Sequence, residues 1–316
     1  MQGKVVRMVP IETDRGCPYT CRFCEAPSLV GLYKEETGQH YFRRKSWSKV
    51  REELDLYIKK YAAEYIYFNA ETFLAMSRQE FDEFVDMYQH VKLPFWMQTR
   101  VETLNEHNVA GLESVGCNRI SIGLEHGNED FRQKIIGKGF TNQRIIDVFK
   151  ILDRHTIPIT INNIIGFPDE TRKLIFDTIE LNRQLGTDSI NAYIFTPYRG
   201  TNMYTDATSK GYLDPDAETN SIITGSILDM PTITKDELMG LVRTFSLYVK
   251  FDKEEWPDIA VAEKFTPEGT AMFAKLSERY YERFFDLDFK HTKKACTSTR
   301  AYDGPPGRQP TESITS

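Results

Sequence analysis

Six short apolar runs alternate with amphipathic helical stretches from residue 4 to about residue 200, and that alternation leaves few folds open. The runs are VVRMVPI, EYIYFN (64–69), FWMQTR (95–100), RISIGLE (119–125), PITINNIIG (158–166) and SINAYIF (189–195). Between them, residues 47–62, 77–91, 103–115, 141–155 and 169–185 read as helices. In the first of these Val50, Leu54, Tyr57, Ile58 and Tyr61 share one face; in the fourth Ile145, Ile146, Phe149 and Leu152 do. Gly116 and Gly186 stand where two of them stop. Strands alternating with helices build a parallel sheet through right-handed crossovers, and mostly apolar strands suit a sheet covered by helices. The expected fold is therefore α/β: a partial (β/α)6 TIM-like barrel over residues 1–212 with a C-terminal helical extension.

The extension is expected over residues 213–290, with helices at 234–251 and 267–286. The second carries an aromatic stripe of Phe273, Tyr280, Tyr281, Phe284 and Phe285, which reads as packing against the core. Residues 291–316, containing GPPGRQP and TESITS, read as a disordered tail. A length of 316 residues with 40% hydrophobic content suits one large α/β domain with an appendage. The formal net charge of −6 argues against a general electrostatic grip on nucleic acid. One basic run, Arg43, Arg44, Lys45, Lys49 and Arg51, sits where a long loop enters a helix. It reads either as a solvated face or as a contact for an anionic substrate or partner. No stretch approaches the ~20 apolar residues of a spanning helix, and the N-terminus lacks a long apolar core. A cytoplasmic protein without membrane partners is the expectation.

Cys17, Cys21 and Cys24 form a Cys-x3-Cys-x2-Cys array within RGCPYTCRFCEAPS. Three thiolates so close in sequence can hold three irons of a [4Fe–4S] cluster, and with no fourth cysteine nearby one iron keeps an open position. An open iron binds and transforms a ligand, whereas a fully ligated cluster mostly carries electrons. Structural zinc prefers four ligands, commonly as two separated pairs, and the nearest histidine is His40. Phe23 adds an aromatic wall beside the cluster. Cys117, at the edge of a strand, reads as packed, and Cys296 has no evident role.

The array resembles the signature of the radical S-adenosylmethionine (SAM) enzymes, Cys-x3-Cys-x-aromatic-Cys. The resemblance covers residues 4 to about 212 and implies the same barrel core. It also implies that SAM chelates the open iron and that the reduced cluster cleaves it to a 5′-deoxyadenosyl radical.

Active sites of β/α barrels lie at the carboxyl ends of the strands. The second strand ends in Asn69-Ala70-Glu71, where the family carries a motif for the SAM amino group. Asn69 and Glu71 are thus candidates, with capping of the next helix as the competing job for Glu71. Arg100, ending the third strand, is placed to clamp the SAM carboxylate, or else to pair with Glu71 or Glu125. SIGLEHG resembles the family's Ile-Gly-Leu-Glu-Ser-Gly. By that likeness Glu125 accepts from the ribose hydroxyls, Gly123 and Gly127 let the backbone approach the cofactor, and His126 is a candidate acid or base. NNIIGFPDET resembles the adenine-side motif, with Ile164 packing on adenine and backbone groups near Gly166 reading its edge. Asp169 stands where many members have glycine, and Glu170 and Thr171 read as helix caps. TPYRGTNMY resembles Pro-Tyr-x-Gly-Thr and puts Tyr198 and Arg199 at the mouth as further catalytic candidates.

Together these motifs look most like the cobalamin-associated branch, which includes methylases and the anaerobic magnesium-porphyrin ester cyclase. Only 16 residues precede Cys17 and no Asp-x-His-x-x-Gly signature is present, so the expectation is either cobalamin on a separate subunit or a chain that is a shortened relative. A methylthiotransferase would need three more cysteines for a second cluster. An electron-transfer or structural iron–sulfur protein is the alternative outside radical chemistry. The implied partners are a small-molecule substrate and a reductant such as flavodoxin or ferredoxin.

Overall fold

A computed structural model describes residues 5–219 and 225–285. Its eight strands are β1 (Met8–Glu12), β2 (Asp14–Arg15), β3 (Arg43–Arg44), β4 (Tyr65–Asn69), β5 (Phe95–Thr99), β6 (Cys117–Glu125), β7 (Ile159–Ile165) and β8 (Ser189–Ile194). Six of them form one all-parallel sheet in the order β1-β4-β5-β6-β7-β8. Every neighbour is the next barrel strand in sequence. The sheet is therefore wound in one direction as in a TIM barrel, without the reversal of a doubly wound fold. β1 and β8 stay at its two ends, which makes it a partial barrel with a C-terminal helical extension, as the alternation predicts.

The helices follow the expected faces, except that Tyr61 is exposed at the end of its helix. Trp47–Tyr61 starts at Ser46, whose side chain accepts from the Lys49 amide, and buries Val50 and Leu54. Arg78–Tyr88 opens with a complete capping box between Ser77 and Glu80. It brings Phe84 and Tyr88 against Phe68, Phe73 and Phe95 in an aromatic core beneath β4 and β5. Thr141 and Thr171 cap the helices Asn142–Leu152 and Arg172–Arg183 through their hydroxyls.

Several details depart from the sequence reading. β1 begins at Met8, and Val5 is fully exposed. The basic run enters no simple loop: Arg43–Arg44 pairs antiparallel with Asp14–Arg15, just ahead of the first cysteine. Helices at Ala26–Thr37, Asn202–Ser209 and Trp256–Ala262 were not expected. Their apolar residues are few or their length short, so periodicity barely registers them.

The extension packs on the second half of the sheet. Leu238, Leu241 and Phe245 of helix Lys235–Lys250 share one apolar cluster with Ile165, Ile190 and Ile194. Arg172 grips Glu263 with both terminal nitrogens, at 2.8 and 2.6 Å, and the Tyr248 hydroxyl also donates to that carboxylate. The aromatic helix runs Pro267–Tyr280 and continues as a wider turn through Phe285. There Tyr280 and Phe284 pack on Phe251. The tail assigned to 291–316, and Cys296 with it, lies outside the described residues. Among the described residues no helix is long and apolar enough to cross a membrane.

Candidate active site

The carboxyl ends of the parallel strands surround a cavity of about 420 Å³, and Cys17, Cys21 and Cys24 all line it. Period-two alternation supplies part of its walls, with Thr99 and the consecutive residues Tyr193 to Thr196 also in the lining. Gln98 and Arg100 come from the end of β5, Ser121 and Gly123 from β6, and Asn162 and Ile164 from β7. The intervening residues, among them Ile120, Ile122, Ile161 and Ile165, are buried in the apolar clusters on the other face.

The cysteine loop is tied down at several points. The Arg22 amide donates to Ile136 O at 2.9 Å, the Met203 amide to Arg22 O, and the Arg22 guanidinium pairs with Asp206. Cys21 is buried, and its Sγ accepts from Arg100 Nη1 at 2.7 Å. The same guanidinium lies 3.9 Å from the Tyr19 ring centroid and bonds Glu102 through Nε at 2.8 Å. Arg100 thus pairs with Glu102, neither with Glu71 nor with Glu125. The Ala26 amide, opening helix Ala26–Thr37, lies 3.5 Å from Cys24 Sγ. Burial pushes the Cys17 and Cys24 thiols up from the usual range. Phe23 meets Phe167 edge-on at 6.0 Å and forms the aromatic side of the cavity.

Three soft thiol donors on one wall, with a guanidinium beside one of them, suit an iron–sulfur cluster. A cubane engages each thiolate at a different iron, so the thiols need not converge on a point. Correspondingly, among the described residues no three His, Cys, Asp or Glu side chains gather closely enough for a single ion.

Glu125 ends β6 with φ +65°, a conformation that costs a non-glycine residue energy and is held by its surroundings. Its carboxylate folds back over Gly123: a Cβ there would lie 2.4 Å from Glu125 Oε1. Lys138 donates to that oxygen at 2.8 Å and to Gly123 O at 2.7 Å. Lys138 is a cavity residue that sequence reasoning missed, as are Gln98, Ser121 and Asn162. A partial signal for the last three was present, since each is a polar residue two positions from another cavity residue on the same strand face. Nothing local marks Lys138, which arrives from the turn after Ile136.

The remaining candidates scatter. Glu71 and Tyr198 line the cavity, while Asn69 is exposed at the end of β4 outside it. Glu71 caps no helix, because the next one begins at Ser77. Arg199 also lies outside the lining, bonded to Pro215 O. His126 is fully buried with Nε2 2.9 Å from Glu170 Oε1, and its Nδ1 accepts from the Asn128 amide. The ring therefore carries its proton on Nε2, and its geometry ties β6 to β7 rather than reaching the cavity. Glu170 caps no helix; its other oxygen accepts from the Gly166 and Phe167 amides. The Gly166 N–H is thus already engaged, at φ +87°. Asp169 has φ +63°, which explains glycine's suitability there. Gly127 serves close packing of β6 on a helix, as a Cβ would fall 2.4 Å from Thr178 Cα.

Comparison with known proteins decides the family. The model of the Radical SAM superfamily matches residues 11–181. The chain belongs to the radical SAM superfamily. This radical SAM chain is 30% identical over 204 residues to an uncharacterized methyltransferase of Pyrococcus horikoshii, covering 64% of this chain and 42% of the relative. It is 25% identical over 201 residues to bacteriochlorophyllide d C-12(1)-methyltransferase of Chlorobaculum tepidum, covering 63% and 42%. The chain thus spans about four tenths of the length of these curated relatives. Its fold is similar to the radical SAM methyltransferase TsrM of Kitasatospora setae, described with cobalamin and a [4Fe–4S] cluster. That match has a TM-score of 0.59 at 11% identity over 92% of this chain and 61% of TsrM.

Proposed function

We propose that this radical SAM chain binds a [4Fe–4S] cluster through Cys17, Cys21 and Cys24, binds SAM beside it, and starts radical chemistry on a small-molecule substrate. The chemistry is methylation, cyclisation or rearrangement of that substrate. The observation that carries this reading is the meeting of three thiols and four strand-end residues, Glu71, Arg100, Glu125 and Ile164, around one cavity. When bound, the cluster supplies the single electron that cleaves SAM to methionine and a 5′-deoxyadenosyl radical.

The chain's own residues hold and shield. Arg100 donates to Cys21 Sγ and its positive charge offsets the negative charge of a thiolate held there. Glu125 offers carboxylate oxygens to hydroxyl donors, and Lys138 fixes the orientation of that carboxylate. Ile164 and Phe23 give the cavity an apolar side for a purine ring, while Glu71 is the anionic partner for an ammonium group. Tyr198, at the exposed mouth, is placed on the substrate side. The reductant is a small electron carrier such as flavodoxin or ferredoxin, in the cytoplasm. The names of the curated relatives favour methyl transfer among the possible outcomes.

Anaerobic reconstitution followed by dithionite reduction tests the reading. The expected result is about four irons per chain and conversion of SAM to 5′-deoxyadenosine and methionine. A reconstituted, reduced protein that binds no SAM overturns it.

A further inference from the structure

A second cleft, of about 800 Å³, opens on the other side of the cysteine loop. Pro18 and Tyr19 form one wall, Phe42 to Arg44 at β3 another, and the turns 74–78 and 102–108 the rest. The sequence reading left the basic run at Arg43 and Arg44 as either a solvated face or a contact for an anionic substrate or partner, and the fold brings Arg78 to the same place.

The charges of this cleft do not cancel. Glu80 is used by the Ser77 amide and faces Arg44 at 3.5 Å. Glu102 is held by Arg100, and His107 is bonded to Asp82. Among the described residues the Arg43 side chain bonds only the Tyr41 carbonyl, and it lies over the Tyr33 and Tyr41 rings. Arg78 has neither a hydrogen bond nor an ion pair among the described residues. Two cations therefore remain without a carboxylate partner among the described residues, in a chain of net charge −6. Arg44 is already held: its Nη2 donates to Ala75 O at 2.9 Å and lies 3.6 Å from Asp14 Oδ2. Helices Arg78–Tyr88 and Glu106–Ser114 both begin at the cleft, so their positive ends favour the same sign of ligand.

We propose that this cleft binds a small polyanion, a phosphate- or polycarboxylate-bearing molecule, against Arg43, Arg44 and Arg78. The site is separate from the cysteine cavity but shares a wall with it. Tyr19 and Glu102 line the cleft, and both hold Arg100, which donates to Cys21.

Calorimetric titration of the full chain with inorganic pyrophosphate and with citrate, at one fixed ionic strength, tests the site. The expected result is one saturable site per chain for at least one probe. Preference for pyrophosphate assigns a phosphate ligand, and preference for citrate a carboxylate one. Arg43→Gln and Arg78→Gln should each weaken binding on the order of tenfold. Both residues are exposed, so the fold should survive, and SAM affinity measured on the same preparations should not change. Heat no greater than that of a matched chloride titration overturns the proposal. So does binding that is equal in the wild type and both variants, because the anion then sits elsewhere.

Discussion

Glu125 at the end of β6 accepts from Lys138 at 2.8 Å, and both are buried at the rim of the cysteine cavity. A buried pair of this kind positions an anion that would otherwise be too costly to keep charged away from water. Replacing Glu125 by Gln keeps the size but loses the charge and one acceptor. SAM affinity is expected to fall tenfold to a hundredfold, since charge-assisted bonds contribute about 1.5–3 kcal/mol each. Iron content should stay unchanged, because no thiol is touched. Equilibrium binding on anaerobic protein measures this, and unchanged affinity would remove Glu125 from the site.

Replacement of Cys17, Cys21 or Cys24 by Ala should abolish cluster assembly, whereas replacement of Cys117 or Cys296 should leave it intact. Cys117 is buried, and burial drives its thiol far above the usual range, which leaves it an inert packing residue. Iron and sulfide analysis after reconstitution decides the matter. Loss of iron in the Cys296 variant would show that the ligand set is wrong.

Asp14 should give stability a distinctive pH dependence. Burial raises its carboxyl from 3.8 to about 7, against the opposing pull of Arg44. Between those values the folded state holds one more proton than the unfolded chain. Its contribution to stability therefore falls as pH rises through that window and is level above it. Asp14→Asn cannot titrate, so urea midpoints of the variant should decline less than those of the wild type between pH 4 and 7. Parallel declines would show that Asp14 is not the group responsible.

Glu263 joins the extension to the barrel through Arg172 and Tyr248. Glu263→Gln removes the charge from a nearly buried site and should lower stability by about 1–3 kcal/mol. Thermal melting reads this directly; a melting temperature within error of the wild type would mean that apolar packing alone docks the extension.

Gly127→Ala should be far more damaging than its size suggests. The added carbon would lie 2.4 Å from the Asp177 carbonyl oxygen and from Thr178 Cα, and backbone cannot step aside as a side-chain tip can. Overpacking of this kind costs about 1–3 kcal/mol or more. Chemical denaturation should show the loss, and tolerance of the alanine would mean that helix Arg172–Arg183 can shift outward.

The sequence by itself determined the order of the strands and helices, the one-way parallel sheet and the cysteine array. Those features are written in local periodicity and spacing, which a chain carries wherever it folds. It also carried the polar residues Gln98, Ser121 and Asn162 at the cavity-facing positions of their strands. Only the tertiary structure decided who faces whom. Lys138 reaches Glu125 across 13 residues and Arg100 reaches Cys21 across 79. His126 meets Glu170 across 44, so a residue that looked like a catalyst lies inside the wall. Arg78 joins Arg43 and Arg44 at one cleft only because two helix starts and a short antiparallel strand pair converge there. Side-chain pairing at such separations depends on the packing of whole elements, and no local pattern in the chain encodes it.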